Sequence, residues 1–428
     1  MQELQDLYGF NINVTPLQIA ERAACDAHSA TRQPEWMLCV EQDQMPGEAK
    51  AKEMIRKGIP PPCRTWVWMA VSGAQRKKAG MAKSYYSIMA EAGKQSPFLE
   101  NIKQDVSCTF PNHTGLQAPG TQAALTRVLA AYSVHNDKVG YCRAMANIVG
   151  LLLVAMNSNE ENAFWLLAAL VEDLLHPGTY ARHLEGCQVE MRALDELMTH
   201  KLPRLHAHLA ATDCDISLLA TDWYLCLFST SLPSETVCRV WDALFNEGPK
   251  VLFRVALALL KLNEEGLLGC DNAGDIVLSM RAAAAATHNH DKLMATAFDG
   301  IGSLPMATID KFRDLKTKQL EAGLRARDRP SGGDAALPGP PTTAGQPPQT
   351  TASEGGSTTE KVKEGLGKFV RGFNKWADKT ADQMAKAAEK MGIRDDEAPT
   401  PRPSQPTPAT QTPGHSGGGG TAGTAGAQ

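Results

Sequence analysis

Apolar residues recur with the period of an α-helix from about residue 51 to 323, and this pattern restricts the fold more than any other feature. One clear stripe consists of Val237, Val240, Trp241, Leu244 and Phe245, spaced as on one buried helix face. The next segment, residues 251–262, is apolar nearly all round, which is typical of a central core helix. We find no hairpin signal and no strand-like alternation. The sequence therefore predicts an all-α domain.

Proline, serine and glycine residues indicate where several of these helices begin and end. Residues 60–62 are all proline and can open a helix, because a proline in the first turn loses no hydrogen bond. Ser234 is expected to cap the helix with the apolar stripe, Gly248 to end it and Pro249 to begin the next. Residues 1–50 have apolar spacing too irregular for an assignment.

Composition and charge narrow the functional classes. The chain has 428 residues, of which 43% are hydrophobic, and its net charge of −4 does not favour a nucleic-acid partner. Its ten cysteines form no C-x-x-C pair and mostly lie among apolar residues. That usage favours a reducing, cytoplasmic location. No secretory signal is visible at the N-terminus, and the longest apolar run, residues 148–156, is too short to span a bilayer.

Two pairs of histidines raise the question of a metal site. His206 and His208, and likewise His288 and His290, are two residues apart, so their rings point away from each other on a helix. No cysteine or acidic cluster joins either pair. The chain also lacks the glycine-rich phosphate loop G-x-x-x-x-G-K-[ST]. We therefore expect no metal and no cofactor.

The composition changes at about residue 325, and the chain is expected to divide into six segments. They are an N-terminal extension (1–50), a domain core (51–265), a C-terminal helical part of that domain (266–325), a disordered linker (326–359), an amphipathic helix (360–393) and a disordered tail (394–428). The linker and the tail are rich in proline, glycine, serine and threonine and cannot bury enough surface to fold.

The predicted amphipathic helix combines an apolar face with basic residues lying mostly off that face. Its principal candidate contact residues are Phe369, Phe373, Trp376, Lys368, Arg371 and Lys375. Such a helix can lie on an anionic membrane surface. It can equally dock into the groove of a partner protein or pair as a coiled coil, or pack back onto the domain. These three alternatives remain open at the level of sequence.

Three short motifs occur in a characteristic order. Residues 56–68 read R-K-G-I-P-P-P-C-R-T-W-V-W, residues 102–111 read I-K-Q-D-V-S-C-T-F-P and residues 139–145 read V-G-Y-C-R-A-M. Together they resemble the motifs of the TBC domain, a helical module that stimulates GTP hydrolysis by Rab GTPases. Residues 221–228 (T-D-W-Y-L-C-L-F) and 232–248 (L-P-S-E-T-V-C-R-V-W-D-A-L-F-N-E-G) are similar to later blocks of the same family.

The resemblance covers roughly residues 1–320 and implies a multi-helix TBC domain with a Rab-family GTPase in its GTP-bound state as partner. Within the family, the chain is most similar to the growth-hormone-regulated TBC protein group. Residues 8–10 (Y-G-F) and 302–308 (G-S-L-P-M-A-T) carry that finer similarity. The family also implies a role in vesicle traffic, in the cytoplasm and at the periphery of endomembranes.

Two family positions hold unexpected residues. The second motif normally reads I-x-x-D-x-x-R and the third Y-x-Q, but here the arginine position is Cys108 and the glutamine position is Arg143. In the family these two side chains are the arginine and glutamine fingers that act on the GTPase. A thiol is mostly uncharged near neutral pH and ionises to an anion, so it cannot replace a cation. Arginine offers hydrogen-bond donors but no acceptor, so it cannot orient water as glutamine does.

After the glutamine position, the family's glycine and asparagine are here Ala144 and Ala146, whereas the other motif residues match the family. Asp105 is expected to orient the loop that carries Cys108, by capping a helix, or else to be an ordinary surface carboxylate. Arg64 and Tyr141 are candidate GTPase contacts, although Tyr141 can also be a core residue. Gly58, Ile59, Pro60 and Trp68 fit a structural role.

Three functional hypotheses follow. The first is a Rab-binding regulator whose GTPase activation is weak or absent, and which is not an enzyme in its own right. The second is an active Rab GTPase activator in which Arg143 supplies the missing charge as a displaced arginine finger. The third is a membrane-associated adaptor that uses the TBC fold as a scaffold.

Overall fold

The structure is a computed structural model that describes residues 1–181 and 183–327, with side chains up to residue 322. These residues belong to one of the two units into which the chain divides, Met1–Pro340. The other unit, Pro341–Gln428, lies outside the described residues, and so does the predicted helix at 360–393. Among the described residues, no helix is long and apolar enough to cross a membrane.

The described part of the chain is built almost entirely of α-helices. The first ten are α1 (Pro16–Glu41), α2 (Glu48–Lys57), α3 (Arg64–Val71), α4 (Ala74–Ala79), α5 (Tyr85–Gly93), α6 (Leu99–Ser107), α7 (Thr114–Gln117), α8 (Pro119–His135), α9 (Ala144–Ala155) and α10 (Glu160–Ala169). The others are α11 (Glu185–Lys201), α12 (Pro203–Ala211), α13 (Ser217–Leu225), α14 (Ser234–Glu247), α15 (Lys250–Leu262), α16 (Glu264–Leu268), α17 (Ala273–Ala285), α18 (His290–Ala295) and α19 (Met306–Arg327). The predicted all-α class is confirmed.

Helices α14 and α15 lie at the centre of the core, as their apolar sequences predict. Trp241 and Phe245 of α14 are buried, and the ring of Phe245 lies 5.1 Å from that of Trp68 in α3, measured between centroids. Gly248 ends α14 with φ at +74°, a conformation that glycine adopts without steric cost. The expected cap is displaced by one residue, since Pro233 holds the N-cap position. The Ser234 hydroxyl instead donates to the Asp6 carboxylate.

The chain begins with a β-hairpin that the sequence did not reveal. Strands β1 (Gln2–Gln5) and β2 (Asn11–Val14) pair antiparallel, and their turn is held by the Asp6 carboxylate, which accepts from the backbone N–H of Tyr8 (2.9 Å) and of Phe10 (2.8 Å). Each strand has only four residues, and most are exposed or half-buried. Polar and apolar residues do alternate in β2 (N-I-N-V), but only over four residues, and β1 (Q-E-L-Q) shows no such pattern. The expectation of no hairpin and no strand-like alternation was therefore wrong.

A buried ion pair ties α3 to α14. The Asp242 carboxylate accepts from Arg64 Nε at 3.0 Å, from Arg64 Nη2 at 3.2 Å and from Trp68 Nε1 at 2.9 Å. The backbone N–H of Ile59 adds a further bond at 3.2 Å, and Arg64 also donates to the Tyr8 hydroxyl. The Asp242 side chain is fully buried. The first motif therefore contributes to the core, which supports a structural role for Ile59 and Trp68.

Candidate functional site

Cys108 lies on the surface directly after α6. It is the C-cap residue of that helix, and its side chain is exposed. The following turn is held by Thr109, whose hydroxyl donates to the Asp105 carbonyl at 2.8 Å, and by Gln117, whose Nε2 donates to the Thr109 carbonyl at 2.9 Å. These two bonds fix the backbone on the C-terminal side of Cys108. The thiol is thus presented to solvent from an ordered turn.

Arg143 is placed by the loop between α8 and α9. Gly140 has φ at +65°, and a Cβ at this position would lie 2.7 Å from the ring of Phe98, so both conformation and space require glycine. The backbone N–H of Gly140 donates to the Asn136 carbonyl at 2.8 Å. Arg143 then immediately precedes α9, with 58% of its side chain exposed. The third motif therefore presents Arg143 on the surface.

The Asp105 carboxylate connects the second and third motifs. It accepts a hydrogen bond from the Tyr141 hydroxyl at 2.9 Å, and its other oxygen lies 3.5 Å from Arg143 Nε. Burial, together with the negative charge of Asp105, raises the pKa of Tyr141, so the hydroxyl stays protonated and donates. Asp105 lies inside α6 and caps no helix, so the expected capping role was wrong. Its position is nevertheless suited to orienting both Tyr141 and Arg143.

The N-terminal hairpin forms part of the same surface, which the sequence did not indicate. The ring of Phe10 lies 5.1 Å from that of Phe110, and His113 Nε2 contacts the Tyr8 carbonyl at 2.7 Å. Cys108 and Phe10 also line a cavity of about 580 Å³, together with Asn147 and residues 229–234. The only sequence signal for this arrangement was the Y-G-F match at residues 8–10. We call the surface formed by Cys108, Arg143 and this cavity the finger face.

The structure does not place every candidate residue on the finger face. Arg64 is only 6% exposed and is engaged by Asp242 and Tyr8, so a direct contact with a GTPase is contradicted. Its fixed positive charge is needed to neutralise the buried Asp242 carboxylate. Tyr141 is half-buried, with its hydroxyl committed to Asp105. The tail candidates Phe369, Phe373, Trp376, Lys368, Arg371 and Lys375 lie outside the described residues.

Thiol reactivity offers a direct check of this surface. Burial raises the pKa of the Cys226 and Cys238 thiols to about 12, whereas Cys108 is exposed. Because the thiolate is the reactive form, native Cys108 should be alkylated at least about 100-fold faster than Cys226 or Cys238 near neutral pH. Peptide mass spectrometry after timed iodoacetamide treatment measures this ratio, with Cys108→Ser as control. Equal rates at the three cysteines would contradict the placement.

Comparisons with known proteins agree with this architecture. The model of the Rab-GTPase-TBC domain family matches residues 61–268. Human growth hormone-regulated TBC protein 1 is 37% identical over 293 residues, which are 67% of this chain and 86% of that protein. Mouse TBC1 domain family member 2A is 33% identical over 305 residues, or 70% of this chain, but the chain spans only 33% of that longer protein.

A solved structure extends the similarity to three dimensions. The crystal structure of the Chlamydomonas flagellar RabGAP TBC domain is 59% identical, with a TM-score of 0.66. It covers 69% of this chain, and the match includes 100% of the solved domain. The sequence resemblance is thereby confirmed by relatives, by the family model and by a known fold. The chain belongs to the family of proteins with a Rab-GTPase-TBC domain.

Proposed function

We propose that this protein binds GTP-loaded Rab GTPases through its finger face and stimulates GTP hydrolysis weakly or not at all. Membership of the family implies regulation of Rab GTPases in general. The observation that carries the finer proposal is the occupancy of the finger positions by an exposed thiol and by an arginine paired with Asp105. The fold is retained, while the two side chains that complete the family's catalytic chemistry are replaced.

The physical argument concerns charge at the transferred phosphate. An arginine finger stabilises the negative charge that develops there and accounts for a factor of about 10³ to 10⁵ in rate. Cys108 supplies no positive charge from its turn. Asp105, 3.5 Å from Arg143 Nε, partly neutralises the charge of that arginine. The charge available from this protein at the phosphate is therefore small.

An active protein with a displaced finger is the second candidate. Arg143 keeps 58% of its side chain exposed, and its ion pair with Asp105 is half open to solvent, so the guanidinium can rotate toward a bound partner. In this case the glutamine of the GTPase itself would orient the attacking water. Arg143→Ala would then abolish stimulation, whereas Arg143→Lys would preserve part of it because a charge remains.

Single-turnover hydrolysis across a panel of GTP-loaded Rabs separates these two candidates. We expect that at least one Rab binds and that its hydrolysis rate stays within about tenfold of the intrinsic rate of that Rab. An intact arginine finger would instead accelerate hydrolysis by about 10³ to 10⁵. Strong stimulation that Arg143→Ala abolishes would replace the first proposal with the second. Strong stimulation that survives Arg143→Ala would contradict both.

Protection of Cys108 provides a binding assay that does not depend on catalysis. A Rab seated on the finger face should slow alkylation of Cys108 at least about tenfold, since the thiol becomes buried. The same Rab loaded with GDP should protect less, and Cys39, in the C-terminal half of α1, serves as the internal reference. Absence of protection by any Rab that binds the chain would place the interface elsewhere.

A membrane-associated adaptor is the third candidate, and it depends on the basic amphipathic segment at 360–393. Its sequence fits an anionic lipid surface or a partner protein. The full chain should float with vesicles containing phosphatidylserine, and a chain ending at residue 327 should not. Equal behaviour of the two chains would remove the membrane proposal and leave a protein partner for this segment.

The name of one solved relative supports a proposal for the place of action. The solved domain that is 59% identical comes from a Chlamydomonas flagellar RabGAP. We therefore propose that this protein also acts at a flagellum, as a peripheral regulator of membrane traffic. A fluorescently tagged chain that is excluded from flagella would contradict this location.

A further inference from the structure

Three potential metal ligands from distant parts of the sequence meet beside α1. They are the thiol of Cys25, a ring nitrogen of His290 and a carboxylate oxygen of Asp291, and these atoms all lie within 4.8 Å of one another. Cys25 is 3% exposed, and His290 Nδ1 is buried at 3.3 Å from a carboxylate oxygen of Asp291. None of these three residues belongs to the finger face.

A fourth ligand stands at the edge of this cluster. His28 lies three residues after Cys25, and therefore on the same face of α1. Its Nδ1 is 2.8 Å from the Asp291 carboxylate, and 61% of its side chain is exposed. The exposed ring can change rotamer while it stays beside Asp291.

We propose that Cys25, His28, His290 and Asp291 bind one divalent cation of the zinc class, which joins α1 to α18. Thiolate and imidazole ligands select zinc over magnesium or calcium, which prefer oxygen ligands. In a tetrahedral zinc site, ligand atoms are separated by about 3.3 to 3.8 Å. For Cys25, His290 and Asp291 the present limit of 4.8 Å therefore requires a contraction of about 1 to 1.5 Å, and His28 must also move inward from its place beside Asp291.

The charges at the cluster are compatible with such an ion. A thiolate and a carboxylate together balance the two positive charges of the metal, and both histidines bind it as neutral ligands. Arg32 Nη1 lies 4.0 Å from the Asp291 carboxylate and can keep that contact, because a ligating carboxylate retains a free oxygen. Asn289 adds a polar neighbour, with its side-chain oxygen 3.8 Å from the Cys25 thiol.

The ligand set explains why the sequence did not indicate this site. His288 and His290 form the pair that is visible in the sequence, but their spacing of two is unsuitable for a shared metal on a helix. The structure uses only His290 of that pair and completes the set with the adjacent Asp291 and with two residues of α1. The prediction that no cysteine or acidic cluster joins these histidines is therefore wrong for His290.

Metal titration of the full chain, stripped with a chelator, tests the proposal. Zn²⁺ should bind with one ion per chain and raise Tm by several degrees, since a ligand that binds only the folded state stabilises it. Co²⁺ should give the visible absorption of a tetrahedral ion together with a thiolate charge-transfer band. Mg²⁺ should do neither. Absence of both the zinc-dependent rise in Tm and the thiolate–cobalt band would overturn the proposal.

Matched variants assign the ligands. Cys25→Ser should remove the thiolate–cobalt band and weaken zinc binding at least about tenfold, and His28→Ala should weaken it by a similar factor. Cys39→Ser changes another cysteine of the same helix and should leave the band intact. Circular dichroism of each chelator-treated variant verifies that it is folded. A band that persists in Cys25→Ser would assign the metal to another thiol and contradict the site.

Discussion

Replacing Cys108 with arginine and Arg143 with glutamine should raise the single-turnover rate of GTP hydrolysis by a bound Rab about 10³-fold or more. Both positions are exposed on ordered segments, so the new side chains can reach a partner without disturbing the core. Arginine at position 108 restores a fixed cation with forked donors, and glutamine at position 143 restores a group that both donates and accepts. The double variant would then carry the pair that the family uses.

The single variants apportion the effect. Cys108→Arg alone should recover most of the rate, because the cation contributes more than water orientation where the GTPase retains its own glutamine. Cys108→Lys is the matched control and should recover less, since a lysine is a point charge without the bidentate fork. If the double variant binds the Rab and hydrolysis does not accelerate, the finger face is displaced from the nucleotide. The adaptor function would then be favoured.

Asp242→Ala should lower the free energy of unfolding by about 3 to 5 kcal/mol, the cost of leaving a buried charge without its partner. The Arg64 guanidinium would remain in the core without its two hydrogen bonds to Asp242, of 3.0 and 3.2 Å. Trp68 Nε1 and the Ile59 N–H would also lose their hydrogen-bond acceptor. Urea denaturation of the two proteins gives the difference directly. Because the network joins α3 to α14, the loss should affect the whole cooperative transition.

Two further variants control this experiment. Glu265→Ala removes the partner of Arg204 in an ion pair whose side chains are 81% and 67% exposed, and should change stability by less than about 1 kcal/mol. Combining Asp242→Leu with Arg64→Met removes both buried charges and should cost much less than Asp242→Ala. A loss below about 1 kcal/mol for Asp242→Ala would show that water reaches this pair and that the core is less closed than the structure indicates.

Local sequence predicted those features that depend on neighbours along the chain. The stripe from Val237 to Phe245 requires a helix, because only the helical period brings these side chains to one face. Gly248 ends that helix because its φ of +74° is costly for residues with a Cβ. The placement of Cys108 and Arg143 at the family's finger positions is a prediction from the motifs alone, and Ala144 and Ala146 beside Arg143 depart from the family as well. The short hairpin was not predicted, because the alternation in β2 extends over only four residues and β1 has none.

The sequence by itself determined the helical class and the family, and it carries the prediction that positions 108 and 143 lack the family's finger residues, because each depends on the identity or local order of residues. Only the tertiary structure decided that Arg64 neutralises Asp242 in the core, that Asp105 holds Arg143 and Tyr141, and that Cys25 meets Asp291. The physical reason is the same in all three cases. The role of a charged or ligating group depends on the groups that surround it. Here those groups come from helices far apart in the chain.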